Sequence, residues 1–174
     1  MIKEETPTEI IGRLVLQLNL VTAQPVGAYG RNYIRATAAA NAMAFHTSHM
    51  DKKDLRSFEW TIQPLVTLLI VDIEDPVATK AALALRTLMV SRVCMIRLLE
   101  EDGLSNISKT LDILLNKYTA ELSSPTEVRM LVEHLAVCYR EIARFYPWEL
   151  VNMGALRHCV LMLRFGEAVL RTAS

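Results

Sequence analysis

The sequence predicts an all-α fold: a right-handed α-solenoid of about three to four helical repeats. Three observations lead there. Apolar residues recur at helical spacing along the chain, and no segment alternates as a half-buried strand would. The breaks between apolar stretches fall at polar turns carrying Pro or Gly. The order "short helix, turn, apolar helix, polar loop, long helix" returns about every fifty residues, a period that signals stacked repeats. Its clearest copy runs from Ser91 through Gly103-Leu104 and Leu111-Asp112-Ile113-Leu114-Leu115 to Ser124-Pro125. Another enters at Trp148 and continues through Gly154-Ala155-Leu156 to Leu163. Stacked repeats mostly serve as binding surfaces, so the period also sets a functional expectation.

The elements follow in order. Thr6-Pro7-Thr8-Glu9 starts a helix: Thr6 caps, Pro7 suits the first position, and Glu9 completes a capping box. Ile10, Ile11, Leu14, Val15, Leu18 and Val21 continue it at helical spacing, and Gln24-Pro25-Val26-Gly27 breaks it. Gly30 to His49 reads as a long helix whose alanines, from Ala36 to Ala44, permit close approach of a neighbour. Asp51 to Asp54 is a polar turn before a short helix through Leu55 and Phe58, and Pro64 opens the next. Asp75-Pro76 is a cap followed by a first-turn proline, starting a helix that runs from Val77 to about Ser91. Ser91 to Glu101, Leu104 to Tyr118 and Pro125 to Phe145 repeat the plan. Glu100-Glu101-Asp102 reads as a solvated helix end before Gly103, although acids at a helix C-terminus are locally unfavourable, which leaves room for a partner such as a neighbouring Arg. Leu68, Leu85, Leu114, Leu135 and Leu161 are the expected core of successive units.

These residues resemble the armadillo repeat, with the looser HEAT repeat as the close alternative. Gly154-Ala155-Leu156 matches the step that opens an armadillo second helix, and Asp102-Gly103-Leu104 approximates it. Leu65-Val66-Thr67-Leu68-Leu69 and Leu111 to Leu115 match its "two apolar, one polar, two Leu" run. Glu74 to Val77 and Ser124 to Val128 match the loop and the third-helix start. The resemblance implies one domain over 1–174, with units near 6–50, 51–90, 91–146 and a truncated 147–174. On that register the first unit starts with its second helix. The last stops near Gly166, where a third helix is due, so both ends are expected to be incomplete and uncapped.

The resemblance also implies a concave groove lined by third helices. Members that grip extended basic peptides place Trp where this chain has Ala38, Leu83 and Val137, and Asn where it has Ala42, Thr87 and Glu141. The missing Trp–Asn ladder argues against a nuclear-import receptor of the usual type. The adjoining register holds Asn41, Arg86 and Arg140. With Thr87 and Glu141 these are the candidate groove residues; solvation of an exposed helix face is the plainer account of them.

Composition narrows the class. Lys plus Arg equals Asp plus Glu at 19 each, which gives no support for bulk attraction to nucleic acid or an acidic membrane. Arg outnumbers Lys thirteen to six; Arg is favoured at interfaces, but helix propensity and surface solvation are the plainer account. Cys94, Cys138 and Cys159 lie in apolar runs with no close pair, so buried free thiols in a reducing compartment are expected. That means the cytoplasm, with nuclear and cytoskeletal settings also compatible. The acidic, Pro-containing N-terminus lacks the apolar stretch of a signal peptide. Trp60 to Val71 is too short to span a bilayer.

No catalytic, cofactor or metal constellation is legible. His46 and His49 stand at i, i+3 near a helix end, where capping is the expected role. His134 and His158 are expected to be satisfied, partly buried histidines. Most of the methionines should fill the core. The expectation is therefore a non-enzymatic protein-binding scaffold without cofactors, a segment or subunit of a larger assembly. The alternative is an adaptor that binds an extended peptide in the concave groove. Other proteins would dock through the groove and the exposed terminal repeats.

Overall fold

The computed structural model describes residues 7–22, 30–71, 73, 75–118 and 125–173. Among them the fold is all-α. The helices are α1 (Pro7–Thr22), α2 (Gly30–Ser48), α3 (Lys52–Leu55), α4 (Ile62–Val71), α5 (Pro76–Leu88), α6 (Arg92–Glu100), α7 (Gly103–Tyr118), α8 (Thr126–Ala143), α9 (Pro147–Asn152) and α10 (Ala155–Ala173). A 3-10 turn, Arg56–Thr61, joins α3 to α4. No described helix is long and apolar enough to cross a membrane.

Contacts sort the longer helices into two rows. In one, α2 packs on α5 and α5 on α8; in the other, α1 packs on α4, α4 on α7 and α7 on α10. Pairs α1–α2, α4–α5 and α7–α8 join the rows. Small side chains permit the close association of α2 with α5: Ala36, Ala39, Ala40, Ala78, Ala81 and Ala82 are all buried. Leu68, Leu85, Leu114 and Leu135 are completely buried, while Leu161 packs at the margin of the core.

Local chemistry sets several helix ends. Asp75 caps α5, its Oδ1 accepting from the Val77 N–H at 2.8 Å, and Pro76 takes the first position. Gly154 has φ +81° in the α9–α10 turn, a left-handed conformation that suits glycine. Gly103 is required for another reason: a Cβ there would lie 2.7 Å from Leu98 Cγ and 2.8 Å from the Leu98 carbonyl oxygen. The acids ending α6 find their Arg, with Arg97 Nη2 2.7 Å from Glu101 Oε1 and Arg97 Nη1 3.5 Å from Glu100 Oε2.

Some expectations need correction. Helix α4 starts at Ile62, so Pro64 sits within its first turn, where its missing N–H costs no helical bond. The segment through Phe58 is largely 3-10. No new helix begins near Gly166, because α10 runs through it from Ala155 to Ala173. Cys94 and Cys138 are buried, but Cys159 is exposed on α10. The Thr6 cap and the Gln24 to Gly27 break lie outside the described residues.

Candidate functional site

The C-terminal turns of α2, α5 and α8 end beside one another and, with α3, enclose a recess of about 360 Å³. Arg86 and Thr87 enter it from α5, Val137, Arg140 and Glu141 from α8, Thr47 and Ser48 from α2, and Lys52 and Leu55 from α3. Met50 and Val90 complete its apolar lining. Four of the five candidate groove residues therefore share one cavity. Asn41 is exposed on α2 but does not line it. Ala38 and Ala42, which hold the Trp and Asn register positions on α2, line a separate depression with Arg13, Leu14, Gln17 and Arg35.

Hydrogen bonds hold Arg86, Arg140, Glu141 and the hydroxyls of the recess. Arg86 Nη1 lies 3.2 Å from His134 Nδ1. A guanidinium only donates, so Nδ1 accepts and the ring proton sits on Nε2. That Nε2 is buried without a partner among the described residues. Burial, and then the nearby Arg86 charge, hold the His134 pKa below its ordinary 6.5. Behind it, Cys138 is wholly buried, and burial pushes its thiol up to about 12, too high for a reactive thiolate.

Glu141 carries the second set of bonds. Its carboxylate is almost buried and is held by two largely exposed arginines. Arg140 donates to Oε1 from Nε at 3.0 Å and from Nη2 at 2.8 Å, and Arg144 Nη1 donates to Oε2 at 2.7 Å. This paired donation satisfies both oxygens of a carboxylate that would otherwise be costly to bury. On the opposite wall, the Thr47 and Thr87 hydroxyls bond each other across α2 and α5. Each also lies within bonding distance of a carbonyl of its own helix. These hydroxyls are committed internally, and the donors that face outward are cationic.

Thr47, Lys52 and Val90 were not among the expected groove residues. Thr47 stands opposite Thr87 in the structure, whereas the expected register set Ala42 at that position.

The histidines divide by environment. His49 Nδ1 lies 2.8 Å from the Phe45 carbonyl in the last turn of α2. A carbonyl only accepts, so that nitrogen carries the proton and ties off an orphan helix carbonyl. His158 is buried between Tyr139, whose Oη is 3.0 Å from Nδ1, and Asp112, whose Oδ1 is 3.1 Å from Nε2. Asp112 also accepts from Arg157 Nη1 at 3.0 Å. The group ties α10 to α7 and α8 and is sealed from solvent at the imidazole. Among the described residues no cluster of three or more His, Cys, Asp or Glu could hold a metal ion. The chain matches no protein-family model, no curated protein and no solved structure.

Proposed function

We propose that the chain is a non-enzymatic protein-binding scaffold, built as an armadillo-like solenoid and working as a segment or subunit of a larger assembly. The carrying observation is the apolar surface on α9 and α10. Trp148 is 75% exposed, Leu156 68% and Leu163 71%, with Val160 and Val151 beside them in sequence register. Large apolar residues gathered this way mark a contact surface. The two rows of helices support the repeat reading. So does the spacing of the side-chain bonds between neighbouring helices: Thr47 to Thr87 spans 40 residues, Thr110 to Leu69 41, Arg157 to Asp112 45, and Arg86 to His134 48. The unit bounds 6–50, 51–90, 91–146 and 147–174 belong to this proposal. A pre-organised row of helices binds with little ordering cost, which suits a scaffold.

A second reading has its own observation. The recess that gathers Arg86, Thr87, Arg140 and Glu141 favours an adaptor gripping an extended peptide along α2, α5 and α8. Hydrogen exchange of the full chain, alone and with the protein that copurifies with it, separates the two. Protection over 148–163 supports the scaffold, and protection confined to the recess supports the adaptor. A stable monomer by light scattering, with no copurifying protein, would sink the scaffold reading.

A further inference from the structure

We propose that the recess between α2, α5 and α8 binds an acidic residue of an extended peptide, with an apolar residue next to it in the peptide seated on Val90 and Val137. This deepens the protein-binding reading and rests on it. Three cations face the cavity from three different helices: Lys52, Arg86 and Arg140. Among its described lining residues Glu141 is the carboxylate, and both of its oxygens are occupied, by Arg140 and Arg144. One carboxylate against three lining cations leaves the cavity with a surplus of positive charge.

Arg86 is the centre of the site. Its hydrogen-bond partner is an imidazole rather than a carboxylate, so the bond orients the guanidinium and leaves its charge in place. Arg140 spends one edge on Glu141 while its side chain stays 64% exposed, so the other edge is open to solvent. Two oriented guanidinium groups suit a carboxylate, which accepts bidentate bonds. A polyanion is a poorer fit. The chain carries equal numbers of acidic and basic residues, which gives a polyanion no broad positive field to follow. The exposed Val90 and half-buried Val137 and Met50 give the cations an apolar flank that a free inorganic anion would leave unused. The occupant is therefore an acidic side chain with an apolar neighbour, not phosphate and not nucleic acid.

The test is a nuclear magnetic resonance titration of the full chain with a synthetic peptide alternating Glu and Leu. A peptide alternating Lys and Leu, sodium phosphate and a single-stranded oligonucleotide serve as controls. Expected are shift changes at Thr87, Val90 and Val137 with the Glu–Leu peptide only, weakening as salt is raised. The paired substitution R86E and R140E should weaken binding at least about tenfold, the scale of a lost charged hydrogen bond. Lys52→Glu, at an exposed position, should weaken it in the same direction and keeps the test valid if the paired variant misfolds. Equal binding of the Lys–Leu peptide or of either anion, perturbation elsewhere on the chain, no binding, or unchanged affinity in Lys52→Glu would overturn the proposal. Those results leave hydrogen-exchange protection at 148–163 untouched, so they are distinguishable from failure of the scaffold reading.

Discussion

Tyr139 and His158 meet in the buried junction of α8 and α10, with Tyr139 Oη 3.0 Å from His158 Nδ1. With Nε2–H donating to the Asp112 carboxylate and Nδ1 accepting, the tyrosine hydroxyl is the donor of this bond. The phenol is buried, and burial raises its pKa well above the ordinary value, so it keeps the proton it donates. Tyr139→Phe removes that donor and leaves a buried nitrogen unpaired. The expected cost is about 1–3 kcal/mol, at roughly 2–4 °C of melting temperature per kcal/mol. Thermal unfolding followed by circular dichroism checks it. An unchanged melting temperature would show that the bond carries no net stability.

His134 predicts a loss of stability in mild acid. Its folded-state pKa lies below 6.5, because burial and the Arg86 charge disfavour the imidazolium. Glu133 opposes this and Lys80 adds to it. Between the folded value and 6.5 the unfolded chain binds more protons than the folded one, so stability rises with pH across that window. The contribution is complete above 6.5 and drains away as pH falls toward the folded value. Urea midpoints at pH 7.5 and 5.5 should differ in that direction, and His134→Gln should narrow the difference. An equal pH response in the variant would assign the effect to other groups.

Two glycines should respond oppositely to a single methyl group. Gly103→Ala drives a Cβ against Leu98 Cγ and the Leu98 carbonyl, and the backbone oxygen cannot move aside cheaply. A loss of about 1–3 kcal/mol is expected. Gly12, exposed within α1, has nothing within 4 Å of a new Cβ. There Ala should stabilise by about 0.4–1 kcal/mol through helix propensity and unfolded-state entropy. Urea unfolding of both variants decides, and a destabilised Gly12→Ala would contradict the open space around it.

The thiols should be distinguishable by labelling. Burial pushes Cys94 up to about 11 and Cys138 to about 12, whereas Cys159 is exposed on α10. A thiol reagent at neutral pH should modify Cys159 quickly and the other two only as the chain opens. Peptide mapping after brief labelling gives the order. Equal modification of Cys138 would mean that α8 opens far more readily than its burial implies.

Local chemistry made much of the fold legible in the sequence. The Asp75-Pro76 cap, the Gly154 turn and the completely buried Leu68, Leu85, Leu114 and Leu135 all follow from spacing and side-chain type. Pro64 misled because proline marks a helix start without saying which first-turn position it fills. Cys159 misled because an apolar run on an amphipathic helix has an outer side, and neighbours in sequence cannot reveal which residue takes it. At the recess, the register brought out Arg86 and Arg140 but not Lys52, which comes from a different helix. The Tyr139–His158 bond was invisible for the same reason: it joins residues 19 apart on separate helices.

The bonds from Thr47 to Thr87 and from Thr79 to the Glu127 carbonyl fasten each helix of one row to the next. Seams of this kind make the molecule behave like a laminate. A load applied along the row is shared by many weak fasteners, while a load applied at one end falls on a single seam. The chain should therefore resist sliding of neighbouring helices along that row and yield by peeling, so the surface they form keeps its shape until an outermost helix lifts away.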